Sequence, residues 1–127
     1  MNKRIRTTIL AACMMLLCLA IPAALAATAS VTISTDQIGT VKSSKKALSS
    51  TAISGRVSSN TASTSQAQMT GMIYTHGSVF EVKRDSESVW AGGYANLYWS
   101  NPNSETGQFD VRISSPGGHK GSCSASN

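Results

Sequence analysis

Gln108-Phe109-Asp110-Val111-Arg112-Ile113-Ser114 decides the fold. Apolar Phe109, Val111 and Ile113 alternate with polar neighbours, the period of a strand that is buried on one face only. Just upstream, Asn101-Pro102-Asn103-Ser104-Glu105-Thr106-Gly107 is a loop signal. Before it, Ala95, Leu97 and Trp99 repeat the same alternation. Folding the two arms about the loop sets Trp99 beside Phe109, Leu97 beside Val111 and Ala95 beside Ile113. This register predicts one apolar face, and a slip of one residue would expose it. Gly92-Gly93 predicts a bend and not a break, because Val89 and Ala91 keep the parity.

Further upstream, Met69, Gly71 and Ile73 share one parity of a strand that opens near Gln66. His76-Gly77 predicts a two-residue turn that places Ile73 opposite Phe80 and Gly71 opposite Val82. Asp85-Ser86-Glu87-Ser88 predicts the next turn. The result is a four-strand meander over about 66–114. Ile53, Gly55 and Val57 predict a strand within 51–58, and Val31 and Ile33 a short one at 31–34. No amphipathic helix is available to cover the apolar face. The predicted fold is therefore all-β: a small antiparallel sandwich or partly open barrel.

The flanks of this domain are poor in large apolar residues. Residues 27–50 are rich in Ser, Thr and Lys and predict a linker or loosely ordered segment. The domain proper is expected at 51–115, and Pro116-Gly117-Gly118 opens an expected flexible tail, 116–127. At the other end, Lys3, Arg4 and Arg6 precede an apolar run from Ile9 to Ile21, followed by Pro22 and Ala24-Leu25-Ala26. That order predicts a bacterial signal peptide, 1–26, cleaved after Ala26 to release a secreted domain of about 100 residues. The apolar run is too short for a lasting membrane span. Leu10-Ala11-Ala12-Cys13 is the competing signal, a lipobox that would make Cys13 a lipid anchor. Against it, the apolar run continues well past Cys13.

The expected cleavage changes the meaning of the charge. The whole chain has 11 basic and 6 acidic residues, a net +5. Three basic residues belong to the leader, which leaves +2 and weakens the case for a nucleic-acid partner. The cluster Lys42, Lys45, Lys46 reads as a solubilising face of the linker. Cys13 and Cys18 leave with the leader, so Cys123 stays as a thiol without an intramolecular partner. In an exposed tail it would be open to an intermolecular disulfide.

No catalytic constellation is visible, and the expectation is a protein that is not an enzyme. There is no Gly-x-Ser-x-Gly, no His-Glu-x-x-His and no phosphate-binding glycine loop. His76 falls in a predicted turn and His119 in the predicted tail. Asp85 and Glu87 are too few for a calcium loop, and neither a metal nor another cofactor is expected. The best candidate surface is aromatic. Tyr94, Tyr98 and Arg112 fall on the polar parity of the last predicted hairpin, with Tyr98–Asp110 and Asn96–Arg112 as cross-strand neighbours, and Trp90 extends the row. Flat rings beside polar groups suit a sugar ring or a protein partner. The expected function is thus a secreted, non-enzymatic binding domain or cell-surface component whose partner is an extracellular protein or glycan. Self-association is also expected, because the predicted core is small. The alternative is a bacteriocin-like antagonistic peptide, which a growth-inhibition assay would separate.

Overall fold

In a computed structural model of the chain, the residues described are 26–49, 51–60, 65–103 and 105–127. Apart from Ala26, the expected signal peptide lies outside them, as does Cys13. Nine strands are present: β1 (Thr28–Ile33), β2 (Gly39–Lys42), β3 (Lys46–Leu48), β4 (Ala52–Ser59), β5 (Met69–His76), β6 (Glu81–Val89), β7 (Tyr94–Ser100), β8 (Gly107–Ser115) and β9 (Gly121–Ser126). Among the described residues there is no helix. All ladders are antiparallel, in two sheets ordered β1-β9-β4-β7 and β2-β8-β5-β6. β3 joins the second sheet by continuing the β2 position along β8, antiparallel like the rest. Ser43 bridges the gap between β2 and β3. Its N–H donates to the Val111 carbonyl, and its Oγ accepts from the Val111 N–H.

The two sheets form the expected sandwich. Their inner faces supply Ile53, Val57 and Leu97 from one side and Met69, Ile73, Phe109, Val111 and Ile113 from the other, all essentially without solvent contact. The alternation of Phe109, Val111 and Ile113 therefore has the meaning expected of it: these residues point inward. Gly71 and Val57 approach each other closely across the sandwich. A methyl group on Gly71 would lie 2.5 Å from Val57 Cβ, so the inter-sheet spacing requires glycine there.

The strand pairing differs from the predicted meander in three ways. First, β7 and β8 do not form a hairpin. β7 pairs with β4, Leu97 opposite Gly55, while β8 lies between β5 and β2 in the other sheet. The 101–106 segment is a crossover between sheets. Buried Asn101 pins it, accepting from the Glu105 N–H at 2.8 Å and donating to the Glu105 carbonyl at 2.9 Å. Second, residues 85–88 are not a turn but part of β6, an edge strand carrying charge on both faces, and the turn falls at 90–93, where Gly92-Gly93 breaks the strand it was expected only to bend. Such charge protects an open sheet edge from pairing with other chains. Third, the turn after His76 holds four residues, with His76 opposite Glu81. Gly77 N–H donates to the Phe80 carbonyl, and Gly77 does not adopt the left-handed backbone that a two-residue turn demands. Phe80 is consequently turned out and 76% exposed.

A bulge between Ile73 and Tyr74 shifts the β5–β6 register and re-aims two neighbouring side chains. Arg84 stacks over the Trp99 ring at 4.6 Å, donates to Thr75 Oγ1 and pairs with Glu105. Asp85 accepts from the Tyr98 N–H at 2.7 Å. Together they close the side of the sandwich between β6 and β7.

Both expected flexible ends belong to the fold. Residues 27–50 hold β1, β2 and β3, and β9 lies between β1 and β4 within the segment expected as a tail. β9 is built from small residues, with Cys123 and Ala125 inward and buried. It fits because Gly55 leaves room. A Cβ there would lie 2.6 Å from Ala125 Cβ. The two ends are tied to each other: Ala27 N–H donates to Asn127 Oδ1 at 3.0 Å, and Asn127 Nδ2 donates to the Ala47 carbonyl at 2.8 Å.

Candidate binding surface

Alternation on β7 puts Leu97 inward and turns Tyr94, Asn96 and Tyr98 out. Tyr94 is 65% exposed, and Tyr98 and Trp90 are each 59% exposed. Trp90 precedes β7 in a tight turn, closed by Gly93 N–H donating to the Trp90 carbonyl at 2.9 Å. Gly92 sits there at φ 79°, a conformation glycine adopts without steric cost. Trp90 and Tyr94 flank a shallow hollow floored by Gly92 and Gly93. Three of the four expected surface residues thus lie on β7 or in the turn that leads into it.

Arg112 does not join them. It lies on β8, in the opposite sheet, and is 5% exposed. The expected Tyr98–Asp110 and Asn96–Arg112 neighbours do not form, because that pairing required the β7–β8 hairpin. Arg56 from β4 takes the place by the aromatic row. Its guanidinium carbon lies 4.5 Å from the Tyr94 ring centre, and its Nε donates to Asn96 Oδ1 at 3.3 Å. Arg56 shares the outward parity of Ser54 and Ser58, so the sequence marked its face; its pairing with β7 was the missing information.

Arg112 is instead the centre of an ion cluster on the outer face of the second sheet. It donates to both oxygens of Glu81, at 3.2 and 2.7 Å, and through Nε to Asp110 at 3.0 Å. Its guanidinium stacks on Tyr74 at 3.6 Å. His76 Nε2 lies 2.6 Å from Asp110 Oδ1, and His76 Nδ1 lies 3.8 Å from Glu81. The bidentate Arg112 contact holds the Glu81 carboxyl below the usual carboxylate range. The bonds to Glu81 and Asp110 push the Arg112 titration upward, against the opposing effect of burial. Both ring nitrogens of His76 face carboxylates, and the cluster has the form of a structural ion network.

His119 and Cys123 are corrected from tail to interior. His119 is fully buried, its ring nitrogens taken by Ser59 Oγ at 2.9 Å and by the Ala67 carbonyl. A carbonyl only accepts, so Nε2 carries a proton and donates it to Ala67. Cys123 is also fully buried, and burial pushes its thiol up to about 12. An intermolecular disulfide would require opening the β1–β9–β4 ladder. A thiol reagent is accordingly expected to leave the folded protein unmodified over a time in which denatured protein reacts completely. Rapid modification under native conditions would contradict this placement.

No family model matches the chain, and no curated protein matches it in sequence. Among solved structures it is similar in fold to a chain of the crystal structure of PirA, 12% identical, with a TM-score of 0.46 over 83% of this chain and 96% of that one. It is also similar to a chain of Bacillus endospore appendages, described as a novel family of disulfide-linked pili: 12% identity, TM-score 0.40, 80% of this chain and 86% of that one. A chain of infectious bursal disease virus Gt strain matches at 15% identity and TM-score 0.38, over 82% of this chain and 30% of that one. These likenesses are too distant to bear on function.

Proposed function

We propose that the protein is an exported, non-enzymatic β-domain that works by contact, as a cell-surface component or a binder of an extracellular protein or glycan. The observation that carries this reading is the aromatic row Trp90, Tyr94 and Tyr98. Three large rings remain more than half exposed on β7 or in the turn that leads into it, with Arg56 and Asn96 beside them. Exposed rings flanked by hydrogen-bonding groups suit the apolar face and hydroxyl rim of a sugar, or the anchor residues of a protein partner. The leader-like composition of residues 1–26 supports export.

The test is co-sedimentation of the mature protein, residues 27–127, with insoluble cell-wall polysaccharide, beside a pull-down from extracellular protein. Retention is expected in one arm, and Tyr94→Ala/Tyr98→Ala should reduce it at least tenfold with the melting temperature within a few degrees of wild type. Undiminished retention by the folded double variant would sink the assignment.

A further inference from the structure

We infer that the sandwich associates end to end with further copies of itself, the Trp90 end of one molecule seating in the Phe80 end of the next. The inference deepens the contact reading above by naming a partner for the Trp90 end of the aromatic row.

The exposed large apolar side chains gather at two opposite ends. Val79 and Phe80, 75% and 76% exposed, sit in the β5–β6 turn, with Val82 just beyond it. Ile38 and Trp90, 78% and 59% exposed, sit in the turns at the other end, with Tyr94 beside them. The register fixes this separation. His76 stands opposite Glu81 and Met69 opposite Val89, so the nine residues of β6 lie between Phe80 and Trp90. That length is about 30 Å.

The two ends are unlike in form. At the Phe80 end an open hollow is lined by Leu48, Val79, Phe80 and Val82 together with polar residues that include His76, Arg84 and Glu105. At the other end Trp90 stands out beside a floor of glycines. The flank between the ends is different: β6 carries Glu81, Lys83, Arg84, Asp85 and Glu87, which disfavour edge-to-edge pairing.

Size also favours joining the ends. Each end exposes on the order of 300–400 Å² of apolar side chain, within the range a monomer tolerates. Apposed, with their polar rims, two unlike ends approach the roughly 1,000 Å² that a specific contact needs. A contact of this size is weak, which suits an assembly built from many repeats. Because the joined surfaces differ, the contact is heterologous and repeats as an open row instead of closing as a dimer.

Sedimentation velocity of the mature protein over a concentration series to ~1 mM tests this. Wild type should show a weight-average size that rises past the dimer and is insensitive to reductant, since Cys123 is buried. Phe80→Ser and Trp90→Ser should each remain monomeric, with affinity at least tenfold weaker and unchanged melting, as expected of exposed positions. Their equimolar mixture should form dimers and nothing larger, because each retains the end the other lacks. Val79→Ser serves as a second variant of the Phe80 end. A monomeric wild type, wild-type assembly by either end variant, or a mixture that stays monomeric would overturn the inference. Sedimentation contains no glycan or foreign protein, so its failure would leave the retention assay standing, and the reverse.

Discussion

Arg112→Met is expected to destabilise the protein by about 3 kcal/mol, the lower part of the range for breaking a buried ion pair. The substitution keeps much of the side-chain volume but leaves Asp110, 2% exposed, without its guanidinium. His76 still bonds Asp110, which holds the loss to the low end. Glu81 and the Tyr74 ring lose a partner as well. The deficit should depend on pH with a definite sign. The folded-state titration of Glu81 is lowered by Arg112, so its contribution is present above the unfolded carboxyl value and lost as pH falls through the folded one. The gap between wild type and variant is therefore expected to narrow below about pH 4. Urea unfolding at pH 7 and pH 3.5 measures both, and a gap under about 0.5 kcal/mol at pH 7 would show that the cluster is solvated.

Gly71→Ala is the second large effect. The added methyl would meet Val57 Cβ at 2.5 Å and its Cγ2 at 2.7 Å, across the core and not at a flexible tip. Relief requires the sheets to separate, and overpacking of this kind costs about 1–3 kcal/mol, with the rigid Cβ contact placing it near the top. Gly77→Ala is the control: the nearest atom to its new methyl is the Phe80 carbonyl oxygen at 3.8 Å. Thermal unfolding should separate the two by several degrees. Equal stability of both variants would mean that the sheets lie further apart than described.

Facing was legible in the sequence, and pairing was not. Phe109, Val111, Ile113, Leu97, Ile53 and Val57 all point inward, as their alternation required. Alternation reports a face, however, and does not name a neighbour. A hairpin and a crossover between sheets look alike when the loop is Asn101 to Thr106. The distinction lies in the Asn101 side chain, which bonds both backbone groups of Glu105 in its own loop. The same ambiguity placed Arg112 beside Asn96 and hid Arg56.

The second half of β6 and the whole of β9 were hidden for opposite reasons. β6 is an edge with no inward apolar stripe until Val89, so Asp85-Ser86-Glu87-Ser88 had only turn propensity to be read by. β9 alternates Cys123 and Ala125 against Ser122, Ser124 and Ser126, but side chains so small give little hydrophobic signal. What makes it a strand is the space left by Gly55, a property of the partner strand. The aromatic row fared better because Tyr94 and Tyr98 need only their own strand's parity to face outward.

The measurement that tests the contact account most directly is retention of the mature protein on cell-wall polysaccharide or an extracellular protein, before and after Tyr94→Ala/Tyr98→Ala. The account predicts retention by wild type and at least a tenfold loss in a variant that still melts as wild type does. Retention that ignores the loss of both rings, or none in either arm, would contradict it.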